Sequence, residues 1–265
     1  MRPRPPRRRT VDAVILRLWD VGEADRMLSI YSREEGKGRA LAKGVRRPRS
    51  RRAGHLQPLS HTRLLLAHAR SAPIVAQAEA VETFPSLRED VTRYAHAAHV
   101  AELVERLVWE GEHYPGLHAA LLETLRAVAQ EAHPDWPVRH FELRLLHWVG
   151  FRPELQYCTV CGRAIQPEDQ FFSARHGGVV CPRCRTQAPD AQPVSRRVLK
   201  FLRHLQRSSW SEARRVIPER AIRRAVEDVL QAYLTFVLEK PLRALRVRRQ
   251  LDREDNAQTP EPSPS

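Results

Sequence analysis

Residues 36–52 read GKGRALAKGVRRPRSRR, and their alternation decides the first half of the fold. Successive side chains of a strand point to opposite sides. Lys37, Arg39, Leu41 and Lys43 therefore share one face, and Gly38, Ala40, Ala42 and Gly44 the other. Small residues suit the interior of a narrow barrel, which puts the cations outside. On either side, Val11–Leu18, Arg26–Tyr31, Thr62–Ala67 and Ile74–Ala80 are short runs with apolar alternation, broken by Gly22, Gly36, Gly44, Gly54 and Pro73. Together with Gly38–Val45 they predict five strands between residues 10 and 83, the size and count of an OB-fold-like small β-barrel.

The same stretch carries an unusual charge. Residues 36–55 contain Lys37, Arg39, Lys43, Arg46, Arg47, Arg49, Arg51 and Arg52 and no acidic residue. Residues 1–55 hold 16 Lys/Arg against 6 Asp/Glu, so +10 of the chain's formal +14 lies there. Like charges packed this closely repel one another unless a polyanion neutralises them. These eight residues are the expected DNA-binding set; a solvated, flexible loop is the plain alternative. Residues 1–9 are basic and rich in proline, which denies them a helix, and read as a disordered arm. Residues 251–265, acidic and rich in Pro and Ser, read as a disordered tail.

After residue 84 the period becomes helical. Ser86 and Glu89 fit a capping box at a helix start. Val100, Leu103, Val104, Leu107 and Val108 then recur at three- and four-residue steps, with Gly111 as a stop signal. Leu117–Ala132, Val138–Val149, Ser195–Gln206 and Ala221–Leu238 read as further helices. Phe141, Leu145 and Trp148 read as core, and Arg220, Arg223 and Arg224 as one solvated helix face. The expected fold class is α+β and multidomain. An OB-fold-like barrel is followed by an all-α domain over 84–250, with a four-cysteine zinc module inserted at 154–190.

All four cysteines fall in one pattern: Cys158-x2-Cys161, nineteen residues, then Cys181-x2-Cys184. Two residues between cysteines let both sulfurs face one point about 2.3 Å away, and two such knuckles complete a tetrahedral site. Phe171, Phe172, Gly177, Gly178, Val179 and Val180 between them read as a short hairpin. A redox CxxC would need a thioredoxin-like βαβ setting, which the sequence lacks, and disulfides would need an oxidising compartment. One structural Zn²⁺ is the expected cofactor. Four thiolates leave no open position for water, and His176 is not needed as a ligand.

No apolar run approaches the ~18 residues of a membrane span, and no phosphate loop, HExxH or GxSxG stands out. His96 and His99 read as surface residues. The acidic pairs Glu34–Glu35 and Glu227–Asp228 are isolated. No catalytic site rises above background, so no enzyme is expected.

Gly22-Glu-Ala-Asp-Arg-Met-Leu28, Glu35-Gly-Lys-Gly-Arg39 and Ala42-Lys-Gly-Val-Arg-Arg-Pro-Arg-Ser50 resemble the bacterial DNA repair protein RecO family. Phe141-Glu-Leu-Arg-Leu-Leu146, Gly150 and Pro153-Glu-Leu155 resemble the same family's helical domain entering its zinc module. The resemblance implies a recombination mediator without enzymatic turnover, which binds single- and double-stranded DNA and anneals complementary strands. It also implies RecR and the acidic C-terminal tail of the single-stranded-DNA-binding protein as partners, RecA indirectly, and a cytoplasmic, nucleoid-associated place in a bacterium. The family's basic barrel face falls on Arg39, Lys43, Arg46, Arg47 and neighbouring arginines. Only Trp19 and Tyr31 offer aromatic faces in the barrel region, so binding is expected to be mostly electrostatic. The alternative is a zinc-containing regulator of transcription reading duplex sequence, and a third reading is a nucleic-acid-modifying enzyme with an unrecognised site.

Overall fold

The computed structural model describes residues 8–239. Five strands open the chain: β1 (Arg8–Val21), β2 (Asp25–Ser32), β3 (Gly36–Ala42), β4 (His61–Ala67) and β5 (Ile74–Glu82). They close into a barrel in the order β1-β2-β3-β5-β4, with β3 and β5 the one parallel pair. The alternation predicted for β3 holds where it matters: Ala40 and Ala42 are buried in the barrel with Val11, Ala13, Ile15, Leu28, Ile30, Leu64, Leu66 and Val75. Gly38 stays partly exposed. The expected arm ends earlier than residue 9, because Arg8 and Arg9 already pair with Ala67 and Leu66 of β4. The rest of the arm, the last residues of the expected helical domain (240–250) and the tail at 251–265 lie outside the described residues.

β1 serves two cores. Val11, Ala13 and Ile15 point into the barrel, while Val14 and Leu16 join the large core of the helical domain. Tyr31 and Leu59 join the same helical core. Tyr31 is fully buried, and its hydroxyl accepts from the backbone N–H of Tyr114 at 2.9 Å. Barrel and helices are thus packed together by apolar burial, each fully buried Leu, Val or Phe contributing about 1.5–3 kcal/mol.

The helical domain holds α1 (Pro85–Glu89), α2 (Val91–Leu107), α3 (Leu117–Gln130), α4 (Asp135–Trp148), α5 (Arg196–Arg207), α6 (Trp210–Ala213) and α7 (Arg220–Glu239). The capping box expected at Ser86–Glu89 is not formed. The Ser86 hydroxyl donates to the Ala129 carbonyl at 3.3 Å instead. The long helix starts at Asp90, whose carboxylate accepts from the N–H groups of Thr92 and Arg93 at 2.8 and 3.1 Å. A capping box does form at Ser209 and Glu212, where it starts α6. α4 begins three residues earlier than expected, because Pro137 sits in its first turn, where a missing N–H costs nothing.

Phe141 and Leu145 are core as expected, and Trp148 is partly buried against them. Two expectations about polar residues fail. His99 Nε2 lies 2.8 Å from the carboxylate of Glu142, which is fully buried, and His96 is half-buried. Arg139, 3 % exposed, lies 3.1 Å from Glu142 on its other side. Arg223 likewise leaves the solvated face and donates to Asp135 at 2.8 Å. Between α4 and α5, β6 (Gln170–Ser173) and β7 (Gly178–Val180) form the expected hairpin. A third strand, β8 (Gln192–Val194), pairs with β6 at the sheet edge. Phe172 and Val179 belong to the helical core, and Phe172 meets Tyr233 of α7 edge-on at 5.5 Å. The module is therefore docked on α7. No helix among the described residues is long and apolar enough to cross a membrane.

Candidate nucleic-acid interface and metal centre

The basic stretch divides into two groups. Lys37 faces outward from β3, as its alternation requires, but what lies outside is the end of α2. Its ammonium donates to the carbonyls of Glu105 and Val108, the latter at 2.8 Å, and lies 3.7 Å from the Glu105 carboxylate. Burial holds its pKa below the ordinary lysine value. Arg39 is half-exposed and lies 3.2 Å from Glu110. Its guanidinium and that of Arg17 each stand 5.9 Å from the ring centre of Trp19, which is partly exposed. Trp19 is the barrel's surface aromatic, and Tyr31 is core.

The connection from β3 to β4 carries the second group. Gly44, at φ +65°, makes the turn out of β3 with its N–H donating to Asp25 at 2.7 Å. Val45 and Leu56 anchor the loop in the barrel core at its two ends. The backbone is knitted by turns, Arg47 N–H to the Gly44 carbonyl at 3.2 Å and Ser50 N–H to the Arg47 carbonyl at 2.9 Å. The loop is thus an ordered platform with its side chains outside. Arg46 is exposed and lies 3.4 Å from Asp20. Arg52 turns back, donating to the carbonyls of Val75 and, at 2.7 Å, Lys43. Lys43, Arg47, Arg49 and Arg51 are exposed, and none of them has an acidic partner among the described residues.

The structure adds a residue that the charge run does not contain. Arg51, Arg52 and His55 line a groove of about 430 Å³ with Leu65 and Arg63 of β4, and Arg63 lies 3.6 Å from Glu79 of β5 in the same lining. Arg63 is an isolated arginine in an alternating strand, and only the closure of the barrel brings it beside the loop. Lys37 and Arg39 lie instead in a cavity of about 480 Å³ at the junction with α2 and α7.

The four cysteines converge as their spacing predicts. One sulfur from each lies within 4.8 Å of every other, with Cys158 and Cys184 buried. All four are free thiols, and the Cys161 and Cys181 sulfurs are 4.0 Å apart. Each knuckle is a hydrogen-bonded turn: Gly162 N–H donates to the Cys158 carbonyl at 2.8 Å, and Cys184 N–H to the Cys181 carbonyl at 2.9 Å. Backbone N–H groups also face the sulfurs, as Cys181 N–H does Cys158 at 3.4 Å. Burial opposes the Cys158 thiolate, but these N–H groups outweigh it and hold its pKa below the ordinary thiol value. A hydrogen bond from Arg163 brings Cys161 down to about 6, whereas burial among the other sulfurs pushes Cys184 up to about 12. His176 is not part of the set; its ring faces Ser173 at 3.0 Å. Around the sulfurs the apolar core is small, with Val180, Ala188 and Ala191 its buried members.

Two family models match the chain in sequence. Residues 7–84 match "Recombination protein O N terminal", and residues 88–246 match "Recombination protein O C terminal". The chain is 40% identical to the DNA repair protein RecO of Pelotomaculum thermopropionicum over 237 residues, covering 88% of this chain and 90% of that one. It is 39% identical to the DNA repair protein RecO of Desulforudis audaxviator, covering 91% and 96% of the two chains. Against that of Roseiflexus sp. it is 38% identical, covering 88% and 82%. The boundary between the two matches falls at α1, where barrel gives way to helices.

Proposed function

The chain belongs to the RecO family of DNA repair and recombination proteins, and from that membership we propose that it acts without catalytic turnover, binding DNA, annealing complementary strands and helping load recombinase. The observation that carries the reading is the ordered β3–β4 loop, which presents Lys43, Arg47, Arg49 and Arg51 without acidic partners among the described residues. Cations on an ordered loop suit a row of phosphates, each neutralised phosphate releasing counterions. Arg63 and His55 extend the surface along the barrel, and Arg46 and Arg52 hold the loop's shape as well as adding charge. Lys37 is left out of the proposed set because its ammonium is bonded inside the protein. Trp19 is a single platform for a base, so binding falls mainly on the backbone and leaves base edges free to pair.

The four thiols fit one structural Zn²⁺. Four ligands at about 2.3 Å from a metal are ~3.8 Å apart, and the Cys161–Cys181 separation of 4.0 Å is close to that. The metal would be held by Cys158, Cys161, Cys181 and Cys184 and would supply cross-linking of a module with little apolar core. The partners proposed are RecR, the acidic tail of the single-stranded-DNA-binding protein and, indirectly, RecA, in a bacterial cytoplasm on the nucleoid. A basic cleft of about 600 Å³ between α4 and α5, lined by Arg144, His147, Trp148, Arg152 and Arg207, has the charge to receive such a tail. Neither the family matches nor the geometry adds support to a regulator that reads duplex sequence.

The deciding experiment is annealing of complementary strands coated with their cognate single-stranded-DNA-binding protein. Wild-type protein is expected to anneal them, and a variant with Lys43, Arg47, Arg49 and Arg51 changed to Gln to do so poorly. Equal annealing by the two would remove the loop from the mechanism.

A further inference from the structure

A second group of metal-capable side chains lies at the seam between barrel and helices, apart from the cysteines. Asp12 of β1, His61 at the start of β4 and His118 in the first turn of α3 each bring one ligand atom within 4.8 Å of the other two. Asp12 Oδ1 is 2.7 Å from His61 Nε2, and the two imidazole rings stand 5.7 Å apart at 67°. Both histidines are only 7 % exposed. Each nevertheless keeps a buried nitrogen with no hydrogen-bond partner, Nδ1 in His61 and Nε2 in His118. A buried polar atom without a partner is costly, and nearly all such atoms in folded proteins have one. The orphaned His118 nitrogen, beside a carboxylate and a second imidazole, marks a place where a partner belongs.

The chemistry of that partner follows from the donors. Two imidazoles and one carboxylate suit zinc, cobalt or nickel, whereas calcium and magnesium take oxygen ligands. Glu34 stands close by, its carboxylate accepting from the Asp12 N–H at 2.9 Å. We propose that Asp12, His61 and His118 form a divalent transition-metal site that ties two barrel strands to the first turn of α3. The ligands come from both domains, so an ion there cross-links them at a seam where β1 and α3 share apolar core.

Cobalt(II) is the probe, because thiolate ligands give it an intense near-ultraviolet charge-transfer band and nitrogen and oxygen ligands do not. The metal-free, reduced full chain is titrated with Co²⁺. Two equivalents are expected, one with the sulfur band and one with weak visible bands only. His118→Gln and His61→Gln should each lose the second equivalent and keep the sulfur band, which also reports that the chain is folded. Cys158→Ser should weaken the sulfur band, three thiolates remaining, and leave the other equivalent unchanged, so failure of the thiolate site and failure of this one are separable. A single equivalent in the wild type overturns the proposal. So does a second one that binds both histidine variants as tightly, since that ion would be adventitious, and a seam left as a plain His–Asp pair would be the remaining account.

Discussion

The Lys37 ammonium lies 2.8 Å from the carbonyl oxygen of Val108, so the third barrel strand is pinned to the C-terminal end of α2. Carbonyls at a helix end lack intrahelical partners, and a cation there satisfies them and meets the negative end of the helix dipole. Lys37→Met should therefore cost about 1–3 kcal/mol in urea unfolding, because it strands buried acceptors. DNA affinity and its salt dependence should change less than twofold. A large loss of affinity in folded Lys37→Met protein would return this residue to the DNA surface.

The loop cations predict the opposite pattern. Changing Lys43, Arg47, Arg49 and Arg51 to Gln should leave thermal stability nearly unchanged, since no described acidic group pairs with them. For every phosphate that is no longer neutralised, the plot of log affinity against log salt should flatten by about 0.9 for duplex and ~0.7 for single strands. Fluorescence anisotropy over a salt series measures both quantities. An unaltered slope would mean that the phosphates are met elsewhere.

How far the sequence revealed this surface depends on the range of the signal. A period of two is local, so all five strands and the inward Ala40 and Ala42 were legible. The same period says only that Lys37 points outward, and cannot tell solvent from a neighbouring helix. Cys158, Cys161, Cys181 and Cys184 were legible because knuckle spacing is local as well. Asp12 and His61, 49 positions apart, have no such spacing, and neither does Arg63 with its groove. Local signals also misled: Ser86 and Glu89 have capping-box spacing, but the chain enters that turn through Phe84 at φ +47°, with no side-chain cap. β8 was missed because three residues containing Pro193 do not read as a strand, and proline is tolerated there because β8 is an edge.

Gly36 is held in a place that no side chain fits. Its φ is +70°, and a Cβ would stand 2.0 Å from the backbone oxygen of Glu112. The neighbouring Lys37 N–H donates to that oxygen at 3.0 Å, and the Gly111 N–H to the Lys37 carbonyl at 2.7 Å. Gly36→Ala must push the 109–113 segment off the end of β3 and adopt a strained φ. A loss of more than about 2 kcal/mol is expected. Gly38→Ala, with open space around its Cβ, is the control; equal effects of the two in chemical denaturation would refute the close approach.

Removal of the proposed zinc, by chelator or by Cys158→Ser, should act on the module first. Thr159 N–H donates to the Val179 carbonyl at 2.9 Å and Cys181 N–H to the Cys158 sulfur at 3.4 Å. Both amides should lose protection in hydrogen exchange, while those of β1 and β4 keep theirs. Uniform loss across the chain would show that the module and barrel unfold as one unit.

Histidine burial sets the response to acid. His140 is 2 % exposed, and burial lowers its pKa, with Arg144 and His204 adding to the effect and the Ser208 carbonyl, 2.9 Å away, opposing it. The Trp210 ring, centred 5.8 Å away, offers no compensating charge. His96 is lowered by burial too, with the charge of Arg139 next. An unfolded histidine titrates near ~6.5, so on acidification the unfolded chain takes up these protons first. The stabilisation is complete above that pH and declines as pH falls from there towards the lowered folded values. The slope is at most about 1.4 kcal/mol per pH unit for each group. Urea unfolding at pH 7.5 and 5.5 should show wild-type protein losing more stability than His140→Gln. The thiolate site is common to both proteins, so its own acid lability cancels in the comparison. An equal loss in the two would mean that His140 takes up its proton without unfolding.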